Sequence, residues 1–405
     1  MSDYLDCFIE SYHQWTLSGK SPVLASAELN YYLKQKKKRL EKKRLQLEED
    51  YEHVNGEIRG DQKKEGHPYY VRILYREARH ILNYHQDGKL LKSFKEPVVF
   101  YGSLLDKEGY EDHLLSCPNC GHETMASLLK EGCPYCGTHF EMDDVYPCFT
   151  SFYSVPMIVE RDRLMKVLKR NVLIGGGGSA IVLFVLSIIT DTEMVWWFRI
   201  IKALFLSALM GGMCAVMVYM TMSMFLLIRV FMEAGRSLPL LGGISTGKKL
   251  TVRMKGYDPD FSYPYFEGRL IALFRSIAFS EAREKLSIYT GHEDLSFLDD
   301  AVDLSYRGAS KLKSFKEEDG RLKITMKIYM HNTYMKEKIT RKDEDLLVTM
   351  ERKAGHEDPG FRAYKVQCPN CGGSFDAMHQ KKCPHCSSEY ELVNEDWVIS
   401  SITKA

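Results

Sequence analysis

Eight cysteines set in four C-P-x-C steps are the residues of this chain best suited to chemistry. Cys117-Pro118-Asn119-Cys120 and Cys133-Pro134-Tyr135-Cys136 make one box; Cys368-Pro369-Asn370-Cys371 and Cys383-Pro384-His385-Cys386 make the second. A C-x2-C turn aims two sulfurs at one point, and two such turns across a short gap supply the four thiolates of a tetrahedral zinc. With four Cys ligands no coordination position is left for water or substrate, so the spacing predicts two structural zinc ions and not a hydrolytic centre. His122, His139, His379 and His385 lie nearby but are redundant as ligands. Cys7, Cys148 and Cys214 follow no pattern. These spacings suit metal better than a disulfide framework and point to a reducing compartment.

Other chemistry is sparse. No His/Asp/Glu/Ser constellation falls on one predicted element, so the chain reads as a non-enzyme. Residues 242–248 match the G-x4-G-K of a phosphate loop, but Lys249 stands where a Ser/Thr would hold Mg²⁺, and an apolar run precedes it. With 55 Lys+Arg against 54 Asp+Glu there is no global field for nucleic acid. The knuckles hold few aromatics interleaved with Lys/Arg, which also argues against a nucleic-acid partner. The first six residues, MSDYLD, have neither a basic n-region nor an apolar h-region.

The elements that position the boxes fall on either side of a membrane hairpin. Residues 172–190 and 203–228 are apolar runs long enough to cross about 30 Å of hydrocarbon. Arg161, Arg163, Lys166, Lys169 and Arg170 precede the first, and Arg229, Arg236, Lys248, Lys249 and Arg253 follow the second; the turn region has only Arg199 and Lys202. That asymmetry places both termini in the cytoplasm and the turn Asp191 to Arg199 outside, its paired Trp196 and Trp197 suiting the interface. No Asp, Glu, Lys, Arg or His falls within either run, which disfavours a transporter. A buried hairpin in a soluble protein is the alternative. Gly175 to Gly178 and Gly211-Gly212 are expected to pack the two spans against each other.

The remaining expectations are a helical segment over 1–60, an α+β module over 61–160 holding ribbon 114–140, the hairpin region 170–230, a flexible linker over 235–256, and a second module over 257–405 holding ribbon 366–389. The basic run Lys34 to Arg44 reads as a solvated helix face, or as a contact for anionic lipid or RNA. In the second module, a helix follows Asp258-Pro259-Asp260 and carries Phe261, Tyr265, Phe266, Leu270, Leu273, Phe274 and Ile277 at helical spacing; a second helix is read over 281–289. Strands are read over 303–315, 321–331 and 345–352, with Glu317-Glu318-Asp319-Gly320 as a hairpin turn, and a closing strand over 396–402. Strand-like runs at 69–75 and 97–101 precede the first knuckle, so both halves read helices, strands, knuckle, strand: a diverged duplication.

Residues 257–402 resemble the Tim-forty-four-like family, the C-terminal domain of the mitochondrial inner-membrane translocase tether and its bacterial relatives. The residues that carry the resemblance are Asp258-Pro259-Asp260-Phe261, the aromatic-leucine helix after it, Asp345-Leu346-Leu347-Val348-Thr349-Met350 and Trp397-Val398-Ile399. The resemblance implies a nuclear-transport-factor-two-like α+β cone, with helices on a bent antiparallel sheet, serving as an interaction module at a membrane such as the bacterial cell membrane. The ribbon between Val366 and Glu389 departs from the family. On this reading the chain is a membrane-anchored cytoplasmic adaptor that binds lipid or a protein partner, with Tyr265 and Tyr334 at the mouth of the cone because a phenol keeps its hydroxyl near water or a partner. The alternative is an enzyme or small-ligand sensor using the cone's pocket.

Overall fold

The structure is a computed structural model that describes residues 2–53, 59–66, 68–138, 145–157, 161–190 and 195–405. In the N-terminal part, α1 (Ser2–Ser18) spaces Leu5, Phe8, Ile9, Tyr12 and Trp15 by three or four residues, and all five are buried. Helix α2 (Ala27–Lys42) starts at Ser26, whose hydroxyl accepts the Leu29 N–H at 3.2 Å. The expectation of helix over 1–60 fails after that point. Gln46–His53 is a strand, β1, in which Leu47, Glu49 and Tyr51 alternate inward; a carboxylate in the middle of the buried face hides the two-residue period. Next come β2 (Arg59–Gly66), β3 (Tyr69–Gln86) and β4 (Lys89–Lys107), much longer than the runs read from sequence. The β3–β4 turn is Asp87-Gly88, both at positive φ (49° and 73°), the geometry that two-residue hairpins require. The first cysteine box follows, with β5 (Leu114–Ser116), β6 (Glu123–Met125) and α3 (Ala126–Glu131), and then β7 (Cys148–Pro156).

Residues 157–238 form a compact unit of their own. It is built from α4 (Arg161–Thr190) and most of α5 (Trp196–Met254). Their apolar windows are Lys166–Thr190 and Trp196–Phe225, of which only 6% and 17% are buried inside the protein. A core hairpin of a soluble protein would be mostly buried, so that alternative loses ground. Of the expected turn at 191–199, residues 191–194 lie outside the described residues, and Trp196 to Arg199 already belong to α5. Gly176 and Gly211 face each other: a Cβ on Gly176 would meet Ala215 Cβ at 2.6 Å, and one on Gly211 would meet Ala180 Cβ at 2.6 Å. Two small-xxx-small steps, Gly176/Ala180 and Gly211/Ala215, thus bring the backbones together within one chain.

Residues 1–156 and 239–405 form the other unit. The segment expected as a flexible linker over 235–256 is the end of α5, and its Leu250 and Met254 are fully buried. Helix α6 (Tyr263–Phe279) is followed by β8 (Ala301–Glu318), β9 (Arg321–Met335), β10 (Ile339–Lys353), the second box with β11 (Val366–Gln367) and β12 (Ser374–Phe375), and β13 (Val398–Lys404). Asp319 and Gly320 turn the β8–β9 hairpin at φ 53° and 71°. The expected helix over 281–289 is a single 3-10 turn, Arg283–Lys285. Beyond it the chain is extended beside β13, with the Ile399 N–H donating to Ile288 C=O at 2.9 Å and the Thr290 N–H to Ile399 C=O at 3.0 Å. Arg283 instead caps α6, donating to the carbonyls of Ile277 (3.2 Å) and Ala278 (2.9 Å).

Both large sheets are antiparallel and have the same strand plan. One runs β1-β3-β4-β7, with β2 also on β3; the other runs β8-β9-β10-β13. In each, a cysteine box interrupts the connection between the last two neighbours. The halves are not separate modules, however. One cluster of buried residues joins α1, α2, β4 and β7 to α6, β9, β10 and β13. Helix α6 has 13 buried residues out of 17, because elements of both halves surround it. Where β7 meets β8, Gly308 (φ 71°) admits Val155, which a Cβ there would meet at 2.2 Å.

Candidate metal centres and the buried charge cluster

Each cysteine box closes into one four-sulfur group with all ligand atoms within 4.8 Å of one another. Cys117 Sγ lies 3.7 Å from Cys136 Sγ and Cys120 Sγ 3.7 Å from Cys133 Sγ. The second box repeats this at 3.6 Å for Cys368–Cys386 and 3.7 Å for Cys371–Cys383. A tetrahedral ion with metal–sulfur bonds of about 2.3 Å needs sulfur–sulfur edges of about 3.8 Å. Both groups therefore fit a metal ion.

The four knuckles share one backbone solution. The N–H of residue i+4 donates to the carbonyl of the first Cys at 2.8 Å in every case: Gly121, Gly137, Gly372 and Ser387. All four stand at positive φ, three of them glycines; Ser387, at 58°, is the one that bears a side chain there. Outer groups repeat as well. Asn119 Nδ2 points at Cys136 Sγ (3.7 Å), and Asn370 Nδ2 at Cys386 Sγ (3.6 Å). The Thr138 hydroxyl and N–H pull the Cys136 thiol down to about 5, and Ser388 does the same to Cys386, also to about 5. One sulfur in each box is thus favoured as thiolate, whereas Cys120 and Cys371, against backbone hydrogen bonds that lower them, are pushed up to about 12 by desolvation and neighbouring sulfurs.

The two ribbons differ in how they are seated. The second packs Val366, Phe375 and Ala377 around Cys368 and Cys383. It is tied to the main core through Met378, whose carbonyl accepts the Ser287 N–H at 2.8 Å, and through the His379 ring 4.6 Å from Tyr31. Among the described residues, the first has Leu129 and Leu115 around its buried cysteines. It leaves Leu114 (63% exposed), Leu128 (50%) and Tyr135 (77%) facing out.

No protein-family model, curated protein or solved structure matches the chain. Its function must be read from its own chemistry.

The basic run Lys34 to Arg44 is neither a solvated face nor an open contact surface throughout. Lys36 is 1% exposed. Its ammonium donates to Glu49 Oε2 and Asp303 Oδ1, each at 3.0 Å, so it ties α2 and β1 to β8 of the other half. Glu49 also accepts from Tyr12 (2.7 Å) and Tyr51 (3.2 Å) and lies 2.9 Å from His80 Nε2. Burial opposes ionisation of Glu49, but Lys36 and the bond with His80 outweigh it and hold its carboxyl far below the ordinary value. Asp303 is likewise held down by Lys36 against its burial. Arg39 donates to the carbonyls of Leu298 and Phe279 at 2.9 Å, and Lys43 pairs with Asp300. Helix α2 thus fastens the N-terminal half to the C-terminal half by charge.

Two further polar groups do the same around α6. Arg269 bridges Glu28 (2.5 Å) of α2 and Asp396, just before β13. Glu267 gathers the hydroxyls of Tyr306 (2.6 Å), Tyr263 (3.0 Å) and Tyr153 (3.3 Å), joining β8, α6 and β7, and burial pushes its carboxyl up. Sequence reading missed all of these groups. The two carboxylates on Lys36 are 13 and 267 residues away, and single charged residues inside amphipathic patterns leave no local signal.

Tyr265 and Tyr334 are not at an open mouth. Tyr265 is 5% exposed and packs with Val71, Ile73, Leu105 and Cys148 of the N-terminal half; Tyr334 is 6% exposed and gives its hydroxyl to Glu344. The reason is that the N-terminal sheet covers the start of α6, a surface that a lone cone would leave open. The cavity between α2, β7 and α6, lined in part by Glu28, Tyr32, Arg269 and Arg275, holds about 20 Å³, the scale of one water and not of a metabolite. Tyr265→Ala is therefore expected to cost about 3–5 kcal/mol of stability, as a large buried side chain does. Thermal unfolding of the full chain should show a drop of several degrees, where a solvent-facing phenol would show none.

Proposed function

We propose that the chain is a membrane-anchored cytoplasmic adaptor, in which two zinc-bearing ribbons clamp an interaction module built from both halves of the sequence. The observation that carries this reading is the closed coordination at both centres. All four positions are cysteine sulfur, so the metal has structural work to do and no site for substrate. Four-thiolate tetrahedra suit zinc or iron, and C-P-x-C knuckles without a redox partner favour zinc. The 20 Å³ cavity favours a binding surface over pocket chemistry. On this reading the α-helix-then-antiparallel-sheet order of residues 263–404 is that of a Tim-forty-four-like cone.

The anchor is the α4–α5 hairpin, whose apolar side chains such as Leu173, Ile174, Phe205 and Phe225 face outward at 66–74% exposure and need lipid to cover them. Ten flanking Lys/Arg residues against two near the turn, and thiolate ligands that favour a reducing space, support cytoplasmic termini. The proposed protein contact is the first ribbon, where Leu114, Leu128 and Tyr135 are exposed without need of the core.

Two measurements check the reading. In intact cells, an impermeant thiol reagent should label Thr192→Cys and spare cysteines introduced at either terminus; labelling at a terminus reverses the topology. Crosslinking mass spectrometry on native membranes should recover a protein partner whose links centre on 114–136 and vanish in Leu128→Ser/Tyr135→Ser. Persistence of the same links in that variant contradicts the assigned surface.

A further inference from the structure

Beyond both metal centres, the unit of residues 1–156 and 239–405 gathers four cations that no carboxylate among the described residues offsets. Lys249 and Arg253 stand one turn apart on α5 and so share a helix face, and Lys311 and Lys313 flank Leu312 where β8 shifts register against β9; all four line one cleft. The two elements are fixed to each other. Leu250 and Met254 are buried beneath the helix, and the Leu312 N–H reaches Thr246 Oγ1 at 3.4 Å. Gly247 lies against Tyr263, whose ring a Cβ would meet at 3.0 Å.

Between them is a cleft of about 440 Å³, walled by the four cations with Thr246, Leu312 and Ser314. That is within the size range of small-ligand sites. No Asp or Glu lines it. Neighbours on the same sheet are neutralised, Lys316 and Lys323 by Glu318 and Lys327 by Asp345. The four cleft cations have no such partner among the described residues, and Arg253 lies only over the Phe315 ring, 5.7 Å from its centre. Like charges converging from two elements some 60 residues apart in sequence repel unless an anion sits among them.

We propose that this cleft binds a phosphate group bearing two or more negative charges, carried by a soluble ligand or by an anionic lipid headgroup. Lysine ammoniums act as point charges on a phosphate, and a guanidinium can grip two of its oxygens. The G-x4-G-K pattern at 242–248 is not the cradle here, because α5 is helical through it. Lys249 instead works from a helix face.

Phosphorus-31 NMR of the full chain in neutral detergent reads the phosphate directly, with inorganic pyrophosphate as one probe and micelle-borne phosphatidic acid as the other. Selective broadening of the pyrophosphate signal assigns a soluble source; broadening of phosphatidic acid alone assigns a lipid. Each cation is worth about fivefold in attraction, so Lys311→Ala/Lys313→Ala should weaken the bound probe at least tenfold. Lys249→Gln/Arg253→Gln should do the same from the helix side, which guards against a folding artefact in either pair. Lys89→Ala/Lys95→Ala, on exposed positions of β4, removes equal charge elsewhere and should change nothing. Broadening of neither probe, or equal weakening by the control pair, overturns the site. Two zinc ions and membrane retention in the cleft variants separate that failure from a failure of the anchored-adaptor reading.

Discussion

Cys371→Ser is expected to release one of the two metal ions and to free β13 from its neighbours while leaving the first ribbon intact. The second ribbon has no core of its own: two of the five buried residues in its cluster are ligand cysteines. Structural zinc contributes about 10–16 kcal/mol of apparent binding energy in ribbons of this size, while a whole domain is stable by only about 5–15 kcal/mol. Losing the ion therefore melts the ribbon and the contacts that depend on it. Hydrogen exchange should speed up at the Ser287 N–H, bonded to Met378, and at the Thr290 N–H, bonded to Ile399. Cys120→Ser in the first ribbon should release metal as well, yet leave those two amides protected, because that ribbon shares little with the main core. Unchanged exchange at Ser287 in Cys371→Ser contradicts the clamp.

The second large effect belongs to Lys36. Lys36→Met leaves Glu49 and Asp303 buried and facing each other with their shared cation removed. Breaking a buried pair from one side costs about 3–5 kcal/mol, enough to threaten the pairing of the two halves. Lys36→Met/Glu49→Gln/Asp303→Asn removes the charges together and should recover much of that loss. The same cluster sets an acid limit. Glu49 and Asp303 have carboxyl pKa values below their unfolded ones, so their stabilisation is full above about pH 4–5 and fades as pH falls through the folded values. Chemical denaturation of the full chain at pH 7 and pH 3.5 should show a midpoint drop that the triple variant largely lacks. Equal acid sensitivity in both proteins places the limit elsewhere.

What was legible in the sequence was whatever local chemistry enforces. The C-P-x-C steps, the Asp319-Gly320 turn, the apolar hairpin and strands β8 to β10 each carry their signal within a few residues. What was illegible depends on distant partners. Gln46–His53 reads as helix because Glu49 interrupts its alternation, and only Lys36, His80, Tyr12 and Tyr51 explain a carboxylate there. The basic run reads as solvated because Asp303 is 267 residues from Lys36. Tyr265 reads as a pocket residue because the sheet that covers it lies in the other half of the chain. The shared strand order of the two sheets, each with a ribbon between its last two strands, fits a duplicated unit whose copies came to need each other's surface.

The most direct test of the account is the metal content of the intact chain, purified in mild detergent without added metal or chelator and weighed by native mass spectrometry with elemental analysis. The account predicts two zinc ions per chain, one lost in Cys371→Ser and the other in Cys120→Ser. A count of zero or one, or iron in place of zinc, contradicts it.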